Sequence, residues 1–384
     1  MAVPDDLTSI FSPPFSDAIQ KFEDLISQSG RAFLIGAGCS KCAGLPLTAE
    51  LTTKALDSDI LDTKSKAILS AIRNLFDGSS SPPAHIEDFL SELIDLLAIT
   101  NRRENRGATE THISLGGENY GEADLSSAAE QIKRAIANVI NQKISIETHK
   151  RFVEALHRPL RPGKPSPSQS IDYLVLNYDT IFEDALAFAC VPFSDGMDGG
   201  ITGWWNPATF DREGLDARVL KLHGSINWHE LPEDTLPRRV ATSIKLPDLD
   251  KHRILIWPAS TKYRETQLDP YAQLGERARM VLKPNRGTQR VLVICGYSFG
   301  DAHINIEIDR ALHNSDGDLT VIAFTHENEP TGKLQEWHTN KAISDQVLIF
   351  ANKGFFHGDN VQKSDKELLW WKFENITRIL EGER

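Results

Sequence analysis

Six short apolar runs are spread along this chain, and each ends at a glycine or a cluster of polar residues. They are 32–35 (AFLI), 173–176 (YLVL), 219–222 (VLKL), 254–257 (ILIW), 291–295 (VLVIC) and 319–324 (LTVIAF). Runs this short, with little polar alternation, are buried on both faces, as strands are when helices cover both sides of a parallel sheet. Several are joined by stretches long enough for a crossover helix. The pattern predicts an α/β fold, a doubly wound and mostly parallel sheet.

Helical periodicity fills the gaps. Ile19, Phe22, Leu25 and Ile26 recur at helical spacing before the first run, with Gly30 as a stop. Between the first two runs lie three such patterns: Ile68, Ile72, Leu75 and Phe76; then Ile86, Phe89, Leu90, Leu93 and Leu97; then Ile132, Ile136, Val139 and Ile140. We read residues 57–160 as an inserted helical subdomain, with 1–56 and 161–384 forming the sheet domain. Inside the insert, 101–124 is polar and glycine-bearing and reads as a mobile loop. The proline-dense stretch 161–170 (RPGKPSPSQS) marks the return to the sheet. Near the C-terminus, Ser364 and Glu367 form a capping-box pattern ahead of Leu368, Leu369, Trp370, Trp371, Phe373, Ile376 and Leu380, which predicts a helix from Ser364. Its broad apolar face packs on the sheet or buries its tryptophans in an oligomer contact.

Composition excludes several classes of function. A formal net charge of -12 argues against direct nucleic-acid binding, which needs clustered Lys and Arg. No stretch approaches the roughly 18 uninterrupted apolar residues of a membrane helix, and the N-terminus lacks a secretion-signal pattern, so a cytoplasmic protein is expected. Four cysteines in 384 residues suggest reduced thiols. Cys39 and Cys42 form one CxxC without a second pair, so no metal site is expected.

Four motifs sit where the strands end. Gly36-Ala37-Gly38-Cys39-Ser40, with Ala43-Gly44-Leu45-Pro46 behind it, follows the first run. Such a junction lets the backbone approach a pyrophosphate, although glycine turns also serve as plain connections. The third glycine of GxGxxG is replaced by Lys41, which disfavours an ordinary hydride-transferring dinucleotide domain. Asn177-Tyr178-Asp179 follows the second run, either as ligand-facing polar groups or as a turn in which Asp179 caps the next helix. Lys221-Leu222-His223-Gly224-Ser225 places a histidine, a base or a structural residue, before a glycine that leaves room for substrate. Gly296-Tyr297-Ser298-Phe299-Gly300-Asp301 again permits close backbone approach, with Asp301 a candidate cap and His303 a structural residue.

In this order, the motifs GAGCS with AGLP, LNYD, KLHGS and GYSFGD resemble those of the sirtuin superfamily over about residues 30 to 330. They are more closely similar to the divergent sirtuin-like proteins of bacterial antiviral defence. The resemblance implies a Rossmann-like sheet that takes NAD as substrate. Gly36, Ala37, Gly38 and Ser40 would hold its phosphates and adjoining ribose. Asn177 would orient water or the nicotinamide ribose, Asp179 would contact the carboxamide, and His223 would be the general base. Gly296 and Ser298 would line the adenosine half, with Thr325 and Glu327 as weaker candidates for ribose hydroxyls.

Two departures matter. Sirtuin deacylases carry an Asp-Phe-Arg triplet after the proline of the glycine loop, where this chain has Leu47-Thr48-Ala49. They also carry a four-cysteine zinc module beyond the HG motif, where this chain has Ile226-Asn227-Trp228-His229 and a polar stretch. Both favour NAD hydrolysis, without a metal, over deacylation. NAD destruction calls for control, and the resemblance implies a homo-oligomer partnered by a HerA-type hexameric ATPase in antiphage defence. A protein deacylase or ADP-ribosyltransferase, and a non-catalytic NAD or ADP-ribose sensor, are the alternatives.

Overall fold

The computed structural model describes residues 4–27, 30–76, 83–157, 170–231, 236–240, 253–256, 269–284 and 287–383. The main sheet has nine strands: β1 (Arg31–Ile35), β2 (Ile171–Val175), β3 (Phe193–Ser194), β4 (Ala217–Lys221), β5 (Arg290–Cys295), β6 (Leu319–Phe324), β7 (Val347–Ala351), β8 (Gly354–His357) and β9 (Asn360–Lys363). Their spatial order is β9-β8-β7-β6-β5-β1-β2-β4-β3. All pairings from β3 across to β7 are parallel, and β8 and β9 add an antiparallel hairpin. The fold is the expected mixed α/β type with a mostly parallel, Rossmann-like sheet. β2, β4 and β3 lie on one side of β1 and β5 to β9 on the other, so the strand order reverses beside β1. In such sheets the crevice at the strand C-termini beside that reversal is where ligands bind.

Helices cover both faces. Within β1, Phe33 and Ile35 point into one core with α1 (Ser16–Ile26), α6 (Glu147–His157), α7 (Ile181–Phe188) and α11 (Phe373–Leu380). Ala32 and Leu34 point into the other, with α8 (Tyr271–Leu282), α9 (Ala302–Asn314) and α10 (Gly332–Thr339). This two-sided burial is why the strands read as unbroken apolar runs. A third core belongs to a helical layer of α2 (Thr48–Leu56), α3 (Thr63–Phe76), α4 (Ile86–Asn105) and α5 (Glu122–Ile140), joined by Tyr178 from the loop after β2 and by Ile181 at the start of α7.

Several expectations change. The run at 254–257 does not extend the parallel sheet: Arg253–Ile256 pairs antiparallel with Gly224–Glu230 in a separate five-stranded sheet, and Trp257 lies outside the described residues. Ile254 and Ile256 face the helical core while Leu255 faces a sheet core, so both sides are buried and the run mimics a parallel strand. Gly224–Glu230 in that sheet includes Ile226-Asn227-Trp228-His229, and from the polar stretch beyond it Arg238–Arg239 adds a short strand, while 232–235 and 241–252 lie outside the described residues.

Residues 101–124 hold the end of α4, the hairpin Ile113–Leu115 with Glu118–Tyr120, and the start of α5, rather than a bare loop. Tyr120 and Leu115 are buried in the helical core, which anchors the hairpin. The segment 161–169 lies outside the described residues.

No helix starts at Ser364. The Ser364 hydroxyl accepts the Lys366 N–H in a turn, Glu367 accepts from the Asn352 amide instead of capping, and Leu369 adopts a φ of 47° that ends any helical path. Trp370 is fully buried, edge-on to Phe15 and Phe350, with its indole N–H on the Ala351 carbonyl at 2.7 Å, so the sheet and not an oligomer contact covers it. The helix begins only at Phe373.

Candidate functional site

Strand register brings the four motifs together. Ile35 aligns with Cys295 and Val175, and Val175 with Lys221, so the residues that follow each strand emerge side by side. They open into a cleft of about 1800 Å³ beneath α2, α3 and α4. Gly36, Ala37, Gly38, Ser40, Asn177, Asp179, His223, Gly296 and Ser298 all line it, as does Thr325. Glu327 does not line it.

The glycines set how closely two strand ends approach. A Cβ on Gly36 would sit 2.4 Å from the Gly296 carbonyl oxygen, and one on Gly38 2.7 Å from the Gly296 Cα. The N–H groups of Gly36 and Gly38 donate to the carbonyls of Cys295 and Gly296, both at 2.9 Å. Their contribution is therefore backbone docking of one loop on the other, and not amide donation to a ligand. Ala37 begins the 3-10 helix Ala37–Ala43, whose first amide has no intrahelical partner. Gly224, expected to leave room for substrate, instead makes room for the Leu255 carbonyl, 2.1 Å from where its Cβ would stand.

A buried polar chain ties the loops. The Asn177 amide donates from Nδ2 to the Gly36 carbonyl (3.1 Å) and to Ser40 Oγ (2.7 Å). The Ser40 hydroxyl donates to Asp179 Oδ2 at 2.8 Å, and Asp179 Oδ1 accepts the Ile181 N–H at 3.1 Å. Asp179 is thus both a helix-terminal acceptor and a member of the site network. With Nδ2 engaged, Asn177 presents Oδ1 as its acceptor. Below, the fully buried Lys221 donates to the Asp179 carbonyl and lies 3.5 Å from Glu183, whose carboxyl burial pushes up to about 7 despite that ammonium.

His223 is 3% exposed and flanked by two carboxylates. Its Nε2 lies 3.1 Å from Asp301 Oδ2 and its Nδ1 3.8 Å from Glu87 Oε1. Asp301 also caps α9 through the N–H groups of His303 and Ile304. The Tyr178 hydroxyl donates to Glu87 Oε1 at 3.2 Å; burial, followed by that carboxylate's charge, holds the phenol well above its usual range, so it remains a donor. Sequence reasoning missed Glu87 and Tyr178 as site residues, and it assigned Asp301 only a capping role. Trp371, which also lines the cleft, was read as part of a helix face, and Lys372 beside it was not singled out.

Burial raises the thiols of Cys39 (well above its ordinary range) and Cys42 (to about 12). Among the described residues, no group of three or more His, Cys, Asp or Glu is placed to hold a metal ion, and no helix is long and apolar enough to cross a membrane.

No curated protein matches the chain. Among solved structures it is similar to a mutant Sir2 homologue in complex with 2'-O-acetyl ADP ribose, at 14% identity and a TM-score of 0.35, covering 82% of this chain and 87% of that one. Residues 173–345 match the family model described as the SIR2-like domain. That span contains Asn177, Asp179, His223, Gly296 and Ser298, so the similarity to that family model takes in three of the four strand-end motifs.

Proposed function

We propose that the cleft binds NAD and hydrolyses it to nicotinamide and ADP-ribose. The observation that carries this reading is the convergence of Asn177 and His223, from neighbouring strand ends, on the cleft that the glycine loop borders. From His223 past Asn177, Gly36 and Gly296 to Thr325, the cleft crosses five strand ends, four spacings of about 4.8 Å or roughly 19 Å. That length suits an extended dinucleotide, with nicotinamide near Asn177 and His223 and adenosine toward Gly296, Ser298 and Thr325.

Pyridinium charge makes nicotinamide a neutral leaving group, so the protein has to position the bond, stabilise an oxocarbenium-like ribose and supply water. Asn177 Oδ1, fixed by the two bonds its Nδ2 makes, accepts a hydrogen bond from the attacking water. As the ribose C–N bond breaks and the C–O bond forms, the water proton passes to His223. The chemistry needs no metal. Nicotinamide release from NAD by purified protein tests the reading, and release of O-acyl-ADP-ribose from an acyl-peptide would replace it with deacylation. NAD binding without turnover would leave a sensor.

The motif resemblance supports a further step: the activity depletes NAD in antiphage defence, in a cytoplasmic homo-oligomer regulated by a HerA-type hexameric ATPase. Nicotinamide release with and without that ATPase, together with co-purification of the two, is the check.

A further inference from the structure

The helical layer over the cleft contributes one side chain that reaches the chemistry-bearing residues. At the N-terminus of α4, Asp88 accepts the His85 N–H at 2.8 Å, and the Ile86 N–H donates to Thr52 Oγ1 of α2 at 2.9 Å, with Ile86 buried. These contacts fix the first turn and complete its cap through Asp88. Glu87 is therefore not needed as the capping acceptor. An acid in a first turn gains from the helix dipole in any outward rotamer, so the dipole does not dictate where this side chain goes. It turns inward, 24% exposed, and places one oxygen, Oε1, 3.2 Å from the Tyr178 hydroxyl and 3.8 Å from His223 Nδ1.

We infer that Glu87 is a positioning residue: from the helical layer, and held by Tyr178, it fixes the ring orientation and the protonated nitrogen of His223. With Asp301 at Nε2 and Glu87 at Nδ1, each ring nitrogen faces a carboxylate. A base in hydrogen-bond reach of its water must expose one nitrogen while the other is held, the logic by which a carboxylate orients a catalytic imidazole. At 3.8 Å the Glu87 contact is longer than a hydrogen bond, so it is the weaker of the two and depends on how the helical layer seats. The layer thereby becomes part of the site's machinery. Because the role of His223 as base belongs to the hydrolase reading, the consequence for turnover rests on it; the consequence for the ring does not.

The test pairs ring spectroscopy with kinetics on the full chain. Nitrogen-15 histidine labelling, with the His223 signals assigned by their loss in His223→Gln, should show the Nδ1 resonance displaced in Glu87→Gln and, to a smaller degree, in Tyr178→Phe. Nicotinamide release by Glu87→Gln and Glu87→Ala should fall about 10–100-fold in kcat, the range typical of losing a residue that orients a site ligand, with KM within a few fold and an unchanged melting temperature. Added formate should restore part of the activity of Glu87→Ala but not of Glu87→Gln, whose side chain fills the space. An undisplaced His223 ring signal in Glu87→Gln overturns the inference. So does an activity loss that tracks the melting temperature without formate rescue. If the parent releases no nicotinamide, the hydrolase reading fails, and the ring signals alone still decide the role of Glu87.

Discussion

Gly296→Ala tests whether the cleft depends on backbone docking between the ends of β1 and β5. Gly296 has a φ of 62°, and its added Cβ would lie 2.4 Å from the Cys39 backbone nitrogen, at least 1 Å short of ordinary contact. Left-handed backbone costs a non-glycine residue about 1–2 kcal/mol, and overpacking adds roughly 1–3 kcal/mol. The neighbouring atoms are backbone, which cannot rotate away, so the expected cost is roughly 2–5 kcal/mol in total. At roughly 2–4 °C per kcal/mol for a large domain, melting should drop by about 4–20 °C. The relief route is a shift of the loop by about 1 Å, which also displaces Ala37 and Ser40; misplacement on that scale can reduce turnover about 100-fold. Gly317→Ala is the control. It has a φ of 90° with nothing within 4 Å of its Cβ, and it precedes β6 at the end of the sheet away from the cleft, so it should lose stability from strain alone and keep its NAD affinity. Scanning calorimetry and NAD titration on both variants make the comparison. Equal melting temperatures and equal NAD affinities for the two would refute the docking argument.

Three further outcomes are expected. His223→Ala should reduce nicotinamide release about 100-fold or more while NAD affinity stays within a few fold; loss of melting temperature in proportion to activity would mark the histidine as structural. Asn177→Ala should abolish release and also weaken NAD binding several-fold, because it frees the Gly36 carbonyl and Ser40 hydroxyl that it now holds; calorimetric titration showing unchanged NAD affinity would contradict that coupling. His149 is buried and its imidazole is lowered from 6.5 to about 4, chiefly by desolvation, so it is neutral when folded. Its folded value is depressed, so the unfolded chain takes up the proton first: the contribution of His149 to stability is flat above about 6.5 and declines as pH falls from there toward about 4. His149→Phe should flatten part of that decline in melting temperature, leaving the similar contribution of His157, and an identical pH slope in the two proteins would contradict the assignment.

The central sheet was legible because its strands are buried on both faces, which leaves a signal in composition that needs no partner to read. Arg253–Ile256 carries the same signal for a different reason, since it is wedged between two cores, and a short apolar run does not say which. The C-terminal segment was misread because Leu368 and Trp370 are apolar for packing against β7 and Phe15 and not for one face of a helix, and the positive φ of Leu369 leaves no mark in the sequence. The strand-end motifs were visible as glycines and polar clusters, and register then placed them side by side. Glu87 was not visible: its hydrogen-bond partner Tyr178 is 91 positions away, and an acid at the start of an amphipathic helix looks like any other.

The two margins of the main sheet limit how copies of this chain can join. On one side β3 is only two residues long and covers just the first part of β4; on the other, the short β9 ends in Lys363, whose ammonium bonds Glu329. Stunted or charged rims offer little unpaired backbone to an incoming strand, so a ribbon running continuously from one copy into the next is disfavoured. Among the described residues, the helices on the faces of that sheet are then the better placed surface for self-association. Among those are the ones roofing the cleft, and any neighbour leaning on them would bear on the seat of Glu87.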